Sequence, residues 1–332
     1  MGLRSSSSSP CLFVGTLIPG KPFPVYVGIY VDDVVYFSPS ADVEKKFEAL
    51  LSTIGEVDFM GQVSHFLGIE FNGHHFQNGE LSVTLTQQSF IENLMDTLGI
   101  TSESQSTFTT PYVSGVSIDS IPTVSMSASD QDKLRLQYQS LVGSLNWLAH
   151  MTRPDLSTVV LFEQHQSSPL PGHLNAALYV VKYLSHTTTL GIYFSSLRQL
   201  QLETFLHFPI PNPLLPMSDA NWGPQDATMS SSKVELPLFT SRSMSAFYVD
   251  LFGPLHWISK CQTVTAGSSA EAEIYATSEC VKFIIELSQI LDSLGVRDIF
   301  MSGTTTIFND NKAYVDWSKF TTTKGLQHIQ MR

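Results

Sequence analysis

Apolar residues fall in short runs over the first hundred positions and recur at three- and four-residue spacing through much of the rest. Residues 25–31 and 34–37 are mostly β-branched or aromatic and are separated only by acidic residues, which predicts two paired strands joined by a tight turn. Val43, Phe47, Leu50, Leu51 and Ile54 then keep helical spacing over 41–54, with Ser40 or Asp42 available as the cap. A second strand pair is expected at 66–71 and 81–85, with Gly73 and Asn78-Gly79 supplying turns, followed by a helix over 87–98. Helical patterns return at 134–150, 156–166 and 171–186, the second opened by Pro154 in its first turn. Beyond them the pattern predicts strands at 245–252 and 255–259, a long helix over 270–294, a strand at 304–308 and a helix from Lys312. This is an α/β (α+β) chain without a fixed-period repeat.

Two stretches break the pattern. Residues 101–132 are rich in Ser, Thr and Pro and poor in large apolar side chains, as in a linker. Pro209, Pro211, Pro213 and Pro216 crowd a second boundary. A length of 332 residues is consistent with about two domains.

Composition narrows the classes. Charged residues are 14% of the chain, against about a quarter in a usual soluble protein, and the net charge is -12. With 42% hydrophobic residues the chain is not disordered as a whole, yet it lacks the broad basic surface that phosphate binding favours. Cys11, Cys261 and Cys280 form no CxxC pair and leave one thiol over in any disulfide scheme. That points to a reducing, intracellular compartment, cytoplasmic or nuclear, and away from secretion. The apolar runs are far shorter than the roughly 20 residues of a membrane span, so no membrane partner is expected. No serine sits in a G-x-S-x-G elbow, and His74-His75 has no third ligand at a zinc spacing.

The chemistry-bearing candidates are acidic. Asp32 and Asp33 lie where two apolar strands meet, so that a turn presents both carboxylates beyond the sheet edge. An isolated Asp pair is ordinary turn chemistry; its flanks distinguish this one. Val25-Tyr26-Val27-Gly28-Ile29-Tyr30-Val31-Asp32-Asp33-Val34-Val35-Tyr36 resembles the polymerase hairpin of copia-type LTR retrotransposon reverse transcriptases. The likeness continues through Asp58-Phe59-Met60-Gly61, Phe66-Leu67-Gly68-Ile69 and Leu85-Thr86-Gln87. Leu141-Val142-Gly143-Ser144-Leu145-Asn146-Trp147-Leu148 and Thr152-Arg153-Pro154-Asp155-Leu156 then resemble the family's connecting region. In the last third, Ser218-Asp219-Ala220-Asn221-Trp222, Ser268-Ser269-Ala270-Glu271-Ala272-Glu273-Ile274-Tyr275 and Phe308-Asn309-Asp310-Asn311 resemble the three acidic motifs of its ribonuclease H domain.

The resemblance implies a truncated reverse-transcriptase palm over 1–105, a linker over 106–132, a helical connection over 133–207, and a C-terminally truncated ribonuclease H-like mixed sheet flanked by helices over 208–332. It implies Asp219, Glu273 and Asp310 as ligands of Mg²⁺ or Mn²⁺, with Asp32 and Asp33 as a second, vestigial metal-binding pair. The expected partners are an RNA-DNA hybrid or primer-template and other Pol segments. Glu271 and Glu273, two residues apart on one helix, point about 200° apart, so only one can face the metals. The family resemblance favours Glu273 and leaves Glu271 as a solvated first-turn acid near the helix dipole. Residues 1–29 contain no Asp or Glu, so the upstream carboxylate of a polymerase site is missing and polymerase activity is expected to be absent. The family's fourth ribonuclease H acid would follow His328-Ile329-Gln330-Met331-Arg332, where the chain stops. Two outcomes remain open: metal-dependent cleavage of RNA in hybrids, or a non-catalytic transposon remnant or hybrid-binding module.

Overall fold

The computed structural model describes residues 2–77, 80–101, 108–112, 125–207, 209–210, 212–222 and 242–319. Strands β1 (Arg4–Ser5), β2 (Leu12–Gly15), β3 (Val25–Tyr30) and β4 (Asp33–Phe37) form an antiparallel sheet in that order. Helix α1 (Ala41–Leu51) packs Val43 and Phe47 onto Val25 and Val27 of β3, burying one face of that sheet. The helix stops short of Ile54, which is exposed. The hydroxyls of Ser52 and Thr53 donate back to the carbonyls of Glu48 and Leu50, and the chain turns away there.

A second antiparallel sheet runs in the order of β5 (His65–Phe66), β6 (Ile69–Gln77), β7 (Glu80–Thr86) and, from much later in the chain, β8 (Ile192–Ser195). The strand expected at 66–71 is two strands. Leu67 and Gly68 have φ of 51° and 73°, and Phe66 pairs with Ile69 across them. Two left-handed residues in a two-residue loop make a tight hairpin usually marked by Asn-Gly, and the leucine hid it. The Asn78-Gly79 turn lies outside the described residues, as does much of the expected linker.

Helices α2 (Gln88–Leu98), α3 (Ala128–Met151), α4 (Val160–Glu163) and α5 (Pro171–Leu184) share one core built on Ile91, Tyr138, Leu145, Phe162 and Val181. Ser127 caps α3 by accepting from the Asp130 N–H. The helix expected at 156–166 is instead a 3₁₀ turn, Pro154–Val159, followed by the single turn of α4. Arg153, fully buried, grips Asp155 with two hydrogen bonds (2.9 and 2.7 Å) and donates to both Thr187 oxygens, so the segment is pinned as it starts. Strand β8 was not foreseen; four residues are too few to show a period.

After α6 (Arg198–Leu206), strands β9 (Leu214–Asn221), β10 (Met244–Leu251) and β11 (Pro254–Cys261) form a third antiparallel sheet, ordered β11-β10-β9. Helix α7 (Ser269–Leu294) covers one face of it, with Cys280, Ile284 and Leu287 against Leu214, Phe247 and Val249; α8 (Arg297–Phe300) and α9 (Lys312–Trp317) follow. The strand expected at 304–308 reduces to one parallel bridge, Phe308 with Met217. Phe308 donates to the Pro216 carbonyl and accepts from the Ser218 N–H. The next rung of that ladder would need an N–H from Pro216, which has none.

The third sheet is tied to the helical body at several points. The Trp257 indole N–H donates to the Ala149 carbonyl (2.6 Å), and the Arg198 guanidinium pairs with Asp250, 1% exposed. The Ser195 N–H donates to the Phe252 carbonyl (2.7 Å). The architecture is mixed α and β with antiparallel sheets. Among the described residues no helix is long and apolar enough to cross a membrane.

Candidate functional site

Three elements distant in sequence deliver one carboxylate each to the same place. Asp219 sits near the end of β9, opposite Ala246 of β10, in the strand that also bridges to Phe308. Glu273 lies in the second turn of α7, whose start is fixed by Ser268 accepting from the Glu271 N–H. Asp310 follows the Phe308 bridge by two residues and precedes α9. One carboxylate oxygen from each lies within 4.8 Å of the other two. Asp219 and Asp310 are exposed, whereas Glu273 is 3% exposed.

Burial pushes the Glu273 carboxyl above its ordinary range, and the negative charges of Asp219 and Asp310 push it the same way. Opposing them are hydrogen bonds from the Asn309 side chain (Nδ2 to Oε2, 2.8 Å) and the Ala220 backbone. Among the described residues no Lys or Arg forms an ion pair with any of the three acids. Oxygen-only donors with excess negative charge suit a hard divalent cation such as Mg²⁺ or Mn²⁺.

The neighbouring Glu271 differs from expectation. It is not solvated but buried (7% exposed), and its Oε2 accepts from the Gly267 N–H at 2.8 Å while its own N–H donates to Ser268. This reciprocal arrangement is a variant of the capping box, reaching one residue further back. Gly267 makes room for it, because a Cβ there would stand 3.2 Å from Glu271 Oε2. The sequence alone assigns no role to Asn309, although it stands within Phe308-Asn309-Asp310-Asn311. A carboxamide between a bridging residue and an acid is the signal that was available.

Asp32 and Asp33 are placed differently. Tyr30 pairs with Asp33 across the two-residue loop Val31-Asp32, so both carboxylates stand exposed at the tip of the β3–β4 hairpin. Among the described residues no third His, Cys, Asp or Glu joins them; the trio around Glu273 is the one such group.

Comparison with known proteins adds the ancestry. No family model matches the chain, and no solved structure matches it. The chain is 28% identical over 183 residues to the putative transposon Ty5-1 protein of Saccharomyces cerevisiae, covering 55% of this chain and 56% of that one. It is 27% identical over 317 residues to the retrovirus-related Pol polyprotein from transposon RE1 of Arabidopsis thaliana, covering 94% of this chain and 18% of the polyprotein. The chain belongs to the copia-type retrotransposon Pol family. A 153-residue stretch of this Pol chain is also 32% identical to secreted RxLR effector protein 161 of Plasmopara viticola, 91% of whose length it covers.

An apolar cleft of about 450 Å³ adjoins the acidic trio of this Pol segment. It runs from Asp219 across the sheet face opposite α7, past Met217, Tyr248 and Trp257, to Pro154 and Leu161. Trp257, tied to the Ala149 carbonyl, forms part of its wall.

Proposed function

We propose that this Pol segment carries a ribonuclease H-type site, at which Asp219, Glu273 and Asp310 hold Mg²⁺ or Mn²⁺ for hydrolysis of the RNA strand in an RNA-DNA hybrid. The observation that carries the proposal is the convergence of three carboxylates from β9, α7 and the segment after Phe308, with no Lys or Arg paired to them among the described residues. In this reading 1–105 is a palm-like unit whose α2 shares the core of α3 to α5 and whose β7 pairs with β8 of the helical connection over 133–207; the linker over 106–132 runs into the first turn of α3, and 208–332 is the ribonuclease H-like unit. The cations, when bound, supply an activated water and stabilise the leaving oxygen. The chain's own part is to fix the donors. Glu273 is held from two sides before any ligand arrives, and Asp219 and Asp310 are exposed on the side from which a phosphate would approach. The 2′-hydroxyl distinguishes RNA from DNA at such a site.

No polymerase chemistry is assigned to the β3–β4 hairpin, where two exposed carboxylates stand without a third among the described residues. Its Asp32 and Asp33 are proposed as a weak cation pair only. The negative net charge of -12 implies that other Pol segments contribute to holding the hybrid.

Cleavage of a labelled RNA-DNA hybrid with Mg²⁺ or Mn²⁺ tests the proposal, with Asp219→Asn and Asp310→Asn as controls. Metal-dependent cutting of the RNA strand that both variants lose is the expected result. An intact hybrid after incubation with protein that melts cooperatively would overturn it.

A further inference from the structure

The acidic trio is assembled by a residue that is not itself an acid. The Asn309 carboxamide nitrogen lies 2.8 Å from Glu273 Oε2, 3.0 Å from the Ser218 carbonyl and 3.2 Å from the Ser218 hydroxyl. Its oxygen accepts from the Asn311 N–H at 2.9 Å. That last bond settles which way the amide faces. A flipped amide would set an oxygen against a carboxylate and a carbonyl, and an NH₂ against an N–H. The Ser218 hydroxyl is in turn shared with Thr277 of α7 at 2.8 Å, one helical turn beyond Glu273.

One side chain thus joins all three ligand-bearing elements. It springs from the residue before Asp310, it bonds the residue before Asp219, and it holds the carboxylate of Glu273. A carboxylate 3% exposed beside two other acids would ordinarily swing away or take up a proton. A lysine could hold it, but a cation in that position would compete with a metal for the same charge. A neutral donor restrains the oxygen without cancelling it. The bond to Oε2 fixes a carboxylate of which one oxygen lies within 4.8 Å of those of Asp219 and Asp310.

We infer that Asn309 is the positioning residue of the acidic trio, aiming Glu273 for a divalent cation by a neutral hydrogen-bond clamp onto β9. The inference rests on the reading of the trio as a metal site and assigns a task which that reading does not. Outer partners of metal ligands typically contribute 10- to 100-fold to metal affinity, so Asn309→Ala is expected to weaken Mn²⁺ binding by about tenfold.

The test is Mn²⁺ titration of the full chain followed by electron paramagnetic resonance, on wild type, Asn309→Ala, Glu273→Gln and the double variant, each checked by thermal melting. If Asn309 acts through Glu273, its replacement weakens binding about tenfold in the wild-type background and less than about twofold in the Glu273→Gln background. Equal Mn²⁺ affinity in wild type and Asn309→Ala overturns the inference and leaves the metal site standing. The same tenfold loss in both backgrounds also overturns it, because the effect would then bypass Glu273. Absence of Mn²⁺ binding by folded wild type overturns the metal site and the inference together. Should Asn309→Ala fail to fold, Ser218→Ala, which removes one acceptor of the clamp, takes its place with the same background comparison, and equal affinity there counts against the clamp.

Discussion

The two acidic sites of this molecule are made in opposite ways. Asp32 and Asp33 are adjacent in sequence and exposed at a hairpin tip, brought together by a single turn. Asp219, Glu273 and Asp310 are separated by up to 91 positions and meet within 4.8 Å only because a strand, a helix and a bridging segment pack together. A pair of exposed acidic neighbours on a turn keeps its hydration and arises wherever turns are acidic. Convergence with one member buried costs stability through desolvation and mutual repulsion. That cost, together with the neutral hydrogen bond from Asn309 to Glu273, is what the proposed metal site rests on and what the hairpin pair lacks.

The largest expected effect contrasts the two sites by chemistry. Asp219→Asn or Asp310→Asn should lower hybrid cleavage by about 10²–10³-fold, the equivalent of a few kcal/mol of transition-state stabilisation. Asp32→Asn and Asp33→Asn should leave it within about twofold. Initial rates on the labelled hybrid decide this, and equal losses at the two sites would break the contrast. The next effect is thermodynamic. At a hundredfold excess over its Kd, a cation that binds only the folded chain adds about 2.7 kcal/mol. Differential scanning calorimetry with and without Mn²⁺ should therefore show a higher Tm for wild type and for Asp32→Asn. The shift should be lost in Asp219→Asn.

Much of this organisation was legible in the sequence, and the exceptions share a cause. Strands β3 and β4 announce themselves through runs because each is the other's neighbour in sequence and in space, and helix α7 through an apolar spacing kept along its length. Asp219, Glu273 and Asp310 were nameable because each stands near the end of an element, within a motif. Glu271 lies elsewhere than expected because its carboxylate turns back to the Gly267 N–H, a bond that spacing along the helix does not show. Asn309 was passed over because its partners, Ser218 and Glu273, are 91 and 36 residues away. The Leu67-Gly68 hairpin was hidden by a leucine in a left-handed conformation, and β8 by its length. For Glu271 and Asn309 the deciding contact is one that only the packed chain supplies.

A third test turns on pH and applies to the metal-free protein. The folded-state Glu273 carboxyl titrates above its unfolded value, so the group favours the fold while both states hold the proton, and that contribution is lost as pH rises through the folded value. Glu273→Gln, which cannot ionise, should therefore melt higher than wild type at neutral pH without metal. The gain should disappear as pH falls below the ordinary glutamate range. Melting curves collected across that range check the sign. A variant that melts lower than wild type at neutral pH would mean that the hydrogen bonds from Asn309 and Ala220 outweigh burial and repulsion.

The smallest effect belongs to the hairpin. Val31 has φ of 53° and is 81% exposed, so a β-branched residue sits in the left-handed region with no packing to offset the strain. Such a residue costs about 1–2 kcal/mol there, whereas glycine adopts the conformation freely and loses about 0.5–1 kcal/mol through the entropy of the unfolded chain. Val31→Gly should accordingly stabilise the protein by about 0.5–1 kcal/mol in urea unfolding. It should leave both the Mn²⁺ shift and hybrid cleavage unchanged, because the hairpin tip takes no part in the convergent site. A gain in stability accompanied by a loss of cleavage would tie Asp32 and Asp33 to the chemistry and erase the distinction between the two acidic sites.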